Sequence, residues 1–155
     1  MDIRKRITAK NAKWLLMFYP PFFFNRIVIQ NVSEDFTEVN VKIKKSIWNL
    51  NLARTIFGGT MFSAADPFIA IMFWQIFAKR FNQKIIVWLK SAEIIYKKPA
   101  NSDVFIHFKI TEEEIITAQK NLKEKGKFVA IHQVKLKNSK GEIFALVNLK
   151  SYLGK

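Results

Sequence analysis

The chain has 155 residues, half of them apolar, enough for one domain with a substantial buried core. Its 26 lysines and arginines against 12 acidic residues leave a formal charge of +14, but the basic residues are scattered, as in KIKK (42–45) and KNLKEKGK (120–127), and no helix-turn-helix, RNP or zinc-finger signature accompanies them, so nucleic acid is not the expected partner. Cysteine is absent, which excludes disulfides, thiolate nucleophiles and cysteine-ligated metals, and His107 and His132 stand 25 positions apart without metal-ligand spacing, so no metal is expected.

The first segment, MDIRKRITAKNAKWLLMFYPPFFFNR, begins basic and turns apolar, like a signal peptide. It lacks a small-residue cleavage site and Pro20-Pro21 splits its apolar stretch, so export is rejected and a cytoplasmic chain is expected. Residues 9 to 19 predict a helix with Trp14, Leu15 and Phe18 on one face, stopped by the two prolines. The aromatic cluster of Trp14, Phe18 and Phe22 to Phe24 reads as core or subunit contact, with the lining of an acyl tail as the other reading.

RIVIQNV and TEVNVKIKK predict strands, and in the second Val39, Val41 and Ile43 alternate with Glu38, Asn40, Lys42 and Lys44. SIWNLNLART reads as loop. A long apolar helix over about 58 to 79 follows, interrupted only by Asp66 and long enough to span a bilayer. A carboxylate at its centre and the alternating segments beyond it argue for a core helix of a sheet protein instead. KIIVWLKSAEIIYKKPA and DVFIHFKI are strands, TEEEIITAQKNLKEKG is a short helix capped by Thr111 and Gly126, and KFVAIHQVKLK, NSKG and EIFALVNLKSYL form a hairpin. His132 alternates with Phe128, Ala130, Val134 and Leu136 and reads as a hydrogen-bonded sheet histidine.

This order predicts an α+β fold in one domain over 1–155, a curved antiparallel sheet wrapped around the apolar helix. The sheet covers one side of that helix, and the other side asks for a second subunit or layer. The arrangement is the one called the hotdog fold.

NLARTIFGGTMFSAADP, residues 51 to 67, resembles the active-site segment of hotdog thioesterases of the phenylacetate-pathway type. That pattern is Asn, two residues, Gly, two residues, His-Gly-Gly, six residues, Asp, and Asn51, Gly58, Gly59 and Asp66 fall on it. The closer likeness is to the DUF4442 branch, whose glycine pair, alanine-rich turn and Asp-Pro recur here, and EIIYKKPANSDV (93–104) is similar to that branch's third strand. Two positions depart: Phe57 stands where the catalytic branch has His, and Arg54 where it has Gly.

The resemblance implies acyl-thioester chemistry. A free N–H at a helix start suits a developing oxyanion, and Gly58 lets a carbonyl approach closely. Asp66 is the carboxylate that would activate water. Asn51, Arg54, Phe57, Gly59 and Thr60 complete the expected substrate contacts, with no cofactor beyond CoA carried as part of an acyl-CoA substrate, whose phosphates suit a basic rim including Arg54. Gly58 and Asp66 are eight residues apart, about 12 Å along one helix. Two antiparallel copies of the helix bring one chain's Gly58 to the other's Asp66, so the expected state is a homodimer, or a dimer of dimers. Structural alternatives stand beside these roles. Asp66 with Pro67 is also a helix-start signal, the glycine pair is also a tight turn, and Asn51 also braces a loop. Two other functions stay open: a binding protein of the same fold without turnover, and a membrane-surface protein using the basic, aromatic N-terminal segment.

Overall fold

A computed structural model describes residues 6–155; the start of the N-terminal basic run, residues 1 to 5, lies outside them. Six strands form one antiparallel sheet in the order β1-β2-β4-β5-β6-β3: β1 (Ile27–Val32), β2 (Glu38–Ile43), β3 (Ile86–Tyr96), β4 (Val104–Lys109), β5 (Lys127–Lys137) and β6 (Ile143–Gly154). Period-two patterning sets the sheet's two faces. Val39, Val41 and Ile43 of β2 and Val104, Ile106 and Phe108 of β4 are buried while their neighbours face outward. The β5–β6 hairpin pairs from Lys127–Gly154 to Lys137–Ile143, and β3 lies beyond β6 as a long edge strand.

The apolar helical segment breaks in two, correcting the continuous helix expected over 58 to 79. α3 (Gly58–Ala65) ends at Asp66 and α4 (Phe68–Arg80) starts after Pro67. Proline has no N–H to give the carbonyl four residues back, so the ladder of hydrogen bonds cannot run through it. Asp66 N–H closes α3 on Phe62 at 3.1 Å, and Ile71 N–H opens α4 on Pro67 at 3.0 Å. Taken together, residues 58 to 80 are long and apolar enough to cross a bilayer, yet most of that stretch is buried inside the fold.

α4 is covered by its own chain. Phe68, Ile69, Met72, Phe73, Ile76 and Phe77 are fully buried, and Phe68 lies between Phe108 of the sheet and Phe22 of the N-terminal segment at ring distances of 5.0 and 5.6 Å. Of the second subunit or layer expected on the helix's other side, the chain itself supplies the layer. The missing layer is α1 (Ala9–Met17) and α2 (Pro20–Phe24), tied to α4 where Ile7 N–H donates to Gln75 Oε1 at 3.0 Å in a buried setting.

α1 buries Ala9, Ala12 and Leu16, and of the aromatic cluster only Phe22 enters the core, while Trp14 and Phe18 stay exposed and leave the contact and lining readings open. Pro20-Pro21 starts α2 at its first helical positions, where a missing N–H costs nothing, instead of ending the region's helical structure. α5 (Glu112–Lys125) runs 14 residues between the two expected caps, with Thr111 Oγ1 accepting from Glu114 N–H and Gly126 in the left-handed conformation at its end. It packs on β5, where Glu114 Oε2 meets His132 Nε2 at 3.1 Å.

Candidate functional site

The segment leading into α3 is pinned by an asparagine that the sequence did not single out. Asn49, 3 % exposed, donates through Nδ2 to the carbonyls of Asn25 and Lys44, and its Oδ1 accepts from Ser46 N–H. Asn51 then folds the loop onto itself: Nδ2 donates to Thr55 Oγ1 at 2.9 Å and Oδ1 accepts from Thr55 N–H at 3.1 Å. Asn51 is thus a loop brace that also borders the cleft beyond. Ile56 N–H donates to Ala100 and Phe57 N–H to Asn49, which sets the angle at which the chain enters α3.

At that entrance the N–H groups of Gly58 and Gly59 have no acceptor among the described residues, as the first turn of a helix leaves them. They carry the positive end of the helix dipole. Gly58 opens on a cleft of about 450 Å³ bordered by Asn51, Thr55, Met61, Tyr96, Lys97 and Lys98. Tyr96 is the last residue of β3, its ring packs against the Gly58 backbone, and no described residue bonds its hydroxyl. Partial burial pushes the phenol's pKa above its ordinary value, so it stays a donor at neutral pH. Lys98 pairs with Glu142 at 2.6 Å, whereas Lys97 has no acidic partner among the described residues. Tyr96 and both lysines lay in a stretch already read as strand. Their approach to Gly58 depends on where β3 ends against α3, and no local sequence signal reports that.

The other expected site residues are placed elsewhere. Thr60 is buried, and its hydroxyl donates to Asn25 Oδ1 at 2.6 Å, so it serves the fold. Phe57 is 56 % exposed, with its ring lying over Gly59. Arg54 is exposed at the tip of the loop in a left-handed conformation, φ 59°. Asp66 is half-buried at the far end of α3 and does not border the cleft. Its carboxylate has no hydrogen-bond or ion-pair partner among the described residues, and α4 receives no side-chain cap, so the helix-start alternative for Asp66 is not what the structure holds. Desolvation pushes its pKa up. The next residue, Pro67, borders a second concavity of about 900 Å³ between α1, α2 and α4, walled by Trp14, Phe18, Tyr19, Phe22, Ile71 and Trp74. Among the described residues no group of three or more His, Asp or Glu side chains stands together to hold a metal ion.

The family model for a domain of unknown function, DUF4442, matches residues 8–153. A Pseudomonas aeruginosa protein of unknown function described as a probable thioesterase superposes with a TM-score of 0.85 at 16% identity, over 97% of this chain and 98% of its own. The Escherichia coli PaaI protein of the phenylacetic acid degradation operon gives 0.63 at 17% identity, over 92% and 90%. Thioesterase superfamily member 2 from Mus musculus gives 0.62 at 16% identity, over 94% and 97%. At these identities the likeness is one of fold, the hotdog fold. A comparison with curated proteins finds no match.

Proposed function

The chain belongs to the DUF4442 family, built on the hotdog fold of thioesterases, and from that premise we propose that it hydrolyses an acyl thioester, with acyl-CoA as substrate, at two equivalent sites of a cytoplasmic homodimer. The observation that carries this reading is the N–H of Gly58 at the start of α3, without an acceptor among the described residues and opening on a cleft that a phenol and Lys97 also border. Those donors suit the oxygen of a thioester carbonyl as it becomes an oxyanion.

The base comes from the far end of the helix. Asp66 is ionisable, half-buried and without a partner among the described residues, but eight residues of α3 hold it about 12 Å from Gly58. An antiparallel second copy of α3 brings it across. Water, deprotonated by Asp66, attacks the carbonyl carbon. The tetrahedral oxyanion is held by Gly58 N–H and the Tyr96 hydroxyl, and its collapse breaks the C–S bond. The proton passes from Asp66 to the departing thiolate, leaving a carboxylic acid and a thiol. Exposed Ile47, Trp48 and Leu52 precede α3 in the chain and offer apolar surface for a partner subunit, and edge strand β3 exposes Ile86 and Trp88. Lys97 beside the cleft, with Arg54 further out, suits the phosphates of CoA.

A second reading, acyl-thioester binding without turnover, is favoured by Phe57, whose ring can neither donate a hydrogen bond nor carry a proton. Complementation tests the composite site. Gly58→Val and Asp66→Asn homodimers should each be inactive on an acyl-CoA panel, and mixing them should restore activity through one intact site per heterodimer. Turnover indifferent to Asp66 would remove the mechanism. Heterodimers without activity would place the whole site in one chain, and tight binding with no turnover in any form would establish the binder.

A further inference from the structure

We infer that the outer face of α1 and α2 is a docking surface for an anionic lipid bilayer, and that the chain seats there through a ridge of aromatic rings framed by cations. Five large aromatics on α1, α2 and the turn between them are exposed: Trp14, Phe18, Tyr19, Phe23 and Phe24, between 47 and 66 %. Trp14 stacks on Phe18 with ring centroids 5.8 Å apart and planes within 9°, and Phe23 meets Phe24 edge-on at 5.6 Å. Paired rings lose little freedom on being covered. The inner sides of the same helices bury Ala12, Leu16 and Phe22, so the exposed rings are surplus to the chain's own core. Trp and Tyr are side chains suited to the headgroup level of a bilayer, with an apolar body below and a polar tip above.

Charge selects the occupant. From Ile3 to Ser33 there is no acidic residue, while Arg4, Lys5, Arg6, Lys10, Lys13 and Arg26 fall in the same stretch. Arg6 and Lys13 donate to the backbone carbonyls of Ala78 and Gln30, and none of Arg6, Lys10, Lys13 and Arg26 has a carboxylate partner among the described residues. Their charge is left for something outside the molecule. A second copy pressed on this face would bring the same cations against these, whereas an anionic bilayer brings the opposite charge together with an apolar layer for the rings. The groove between α1, α2 and α4 opens among the same rings, and the Trp74 Nε1–H at its wall is buried without an acceptor among the described residues. The seated face therefore offers an apolar slot as well as a flat ridge. None of this depends on thioester chemistry.

The test is vesicle sedimentation of the full chain, using phosphatidylcholine alone and phosphatidylcholine containing phosphatidylserine. Wild type should pellet with the anionic vesicles, far less with the neutral ones, and less as salt rises. The pair Trp14→Ala/Phe18→Ala removes rings that are half or more exposed and should leave the thermal melt intact while weakening partition about tenfold or more. Lys10→Glu should weaken it on anionic vesicles only. Ile131→Ser, which removes an exposed apolar residue on β5, should change nothing. Equal pelleting with both vesicle types overturns the inference, as does unaltered binding by the folded Trp14→Ala/Phe18→Ala variant. If that variant instead dissociates an oligomer and binds vesicles as wild type does, the face belongs to a second copy.

Discussion

The hydroxyl oxygen of Tyr96 stands 2.6 Å from the point that a Cβ on Gly58 would occupy, and the ring carbon bearing it stands at 2.9 Å. No methyl group fits between them. The missing side chain of Gly58 and the phenol of Tyr96 thus form one feature: a bare helix start with a second hydrogen-bond donor against it.

The steric relation predicts a coupled pair. Gly58→Ala adds a good helix former but forces the Tyr96 ring away, closing the cleft, so acyl-CoA binding should fall while the thermal melt changes little. Tyr96→Ala makes room for the methyl group, and the double variant should bind better than the sum of the two single losses allows. A double-mutant cycle should give a coupling of about 0.5 to 3 kcal/mol. Additive losses would show that the two residues do not share a site.

Asp66 gives a prediction with a definite sign. Burial raises its folded-state pKa above the ordinary value of 3.8. The folded state therefore holds the proton more tightly than the unfolded chain does. The stability this contributes is complete below the unfolded pKa and is lost as pH rises through the folded one. Asp66→Asn cannot ionise. It should melt at or above the wild-type temperature at neutral pH, and that advantage should vanish in acid below the ordinary value. Thioester hydrolysis should meanwhile fall by about 10² to 10⁴. A variant that melts lower than wild type at neutral pH would mean that the carboxylate has a partner the fold relies on.

Much of the fold was legible because it is written locally. Alternation in β2 placed Val39, Val41 and Ile43 on one face, and Thr111 with Gly126 marked both ends of α5 correctly. The family, too, could be read from the glycine pair and Asp-Pro. Misreadings arose where the local sequence admits two outcomes. Pro20-Pro21 follows one helix and starts the next, and an aromatic stripe on α1 has the spacing of a core face and of a contact face alike, with Ala9 and Ala12 filling the core instead. Of the expected site residues, Asn51 and Gly58 border one cleft, but Thr60 bonds Asn25 from 35 positions away. Tyr96 meets Gly58 from 38 positions away. Contacts of that range leave no periodic trace.

Arg54 and Lys97 should separate a backbone effect from a charge effect. Arg54 holds φ 59°, a conformation that costs a residue with a side chain roughly 1 to 2 kcal/mol and glycine almost nothing. Arg54→Gly relieves that strain but loosens the unfolded chain, so stability should rise by about 0 to 1 kcal/mol. Lys97 borders the cleft, and Lys97→Ala should weaken CoA-ligand binding by about 1 to 3 kcal/mol, an effect that salt erodes. Binding measured across a salt series on both variants decides the point. If Arg54→Gly loses more affinity than Lys97→Ala, the phosphates lie at the loop tip and not beside Tyr96.

Phe57 carries the last prediction, because its ring lies over Gly59 while more than half of its surface meets solvent. An imidazole placed there would lie over the Gly59 backbone at the same helix start. Unlike a phenyl ring, it could donate to an oxyanion or relay a proton. The exposed position means that Phe57→His should shift stability by no more than about 0.5 kcal/mol, so kinetics can be compared without a folding correction. If Asp66 and Gly58 already form a working but slow site, the substitution should raise hydrolysis of at least one acyl-CoA by about tenfold or more, with the dimer intact in sedimentation. If the pocket holds an apolar ligand without turning it over, the polar ring should weaken binding and start no reaction. Measured on the same preparation, turnover and affinity move in different directions under the two readings. If neither moves, the ring lies outside the ligand's reach, and the match from Asn51 to Asp66 reports shared ancestry of the fold without a shared site.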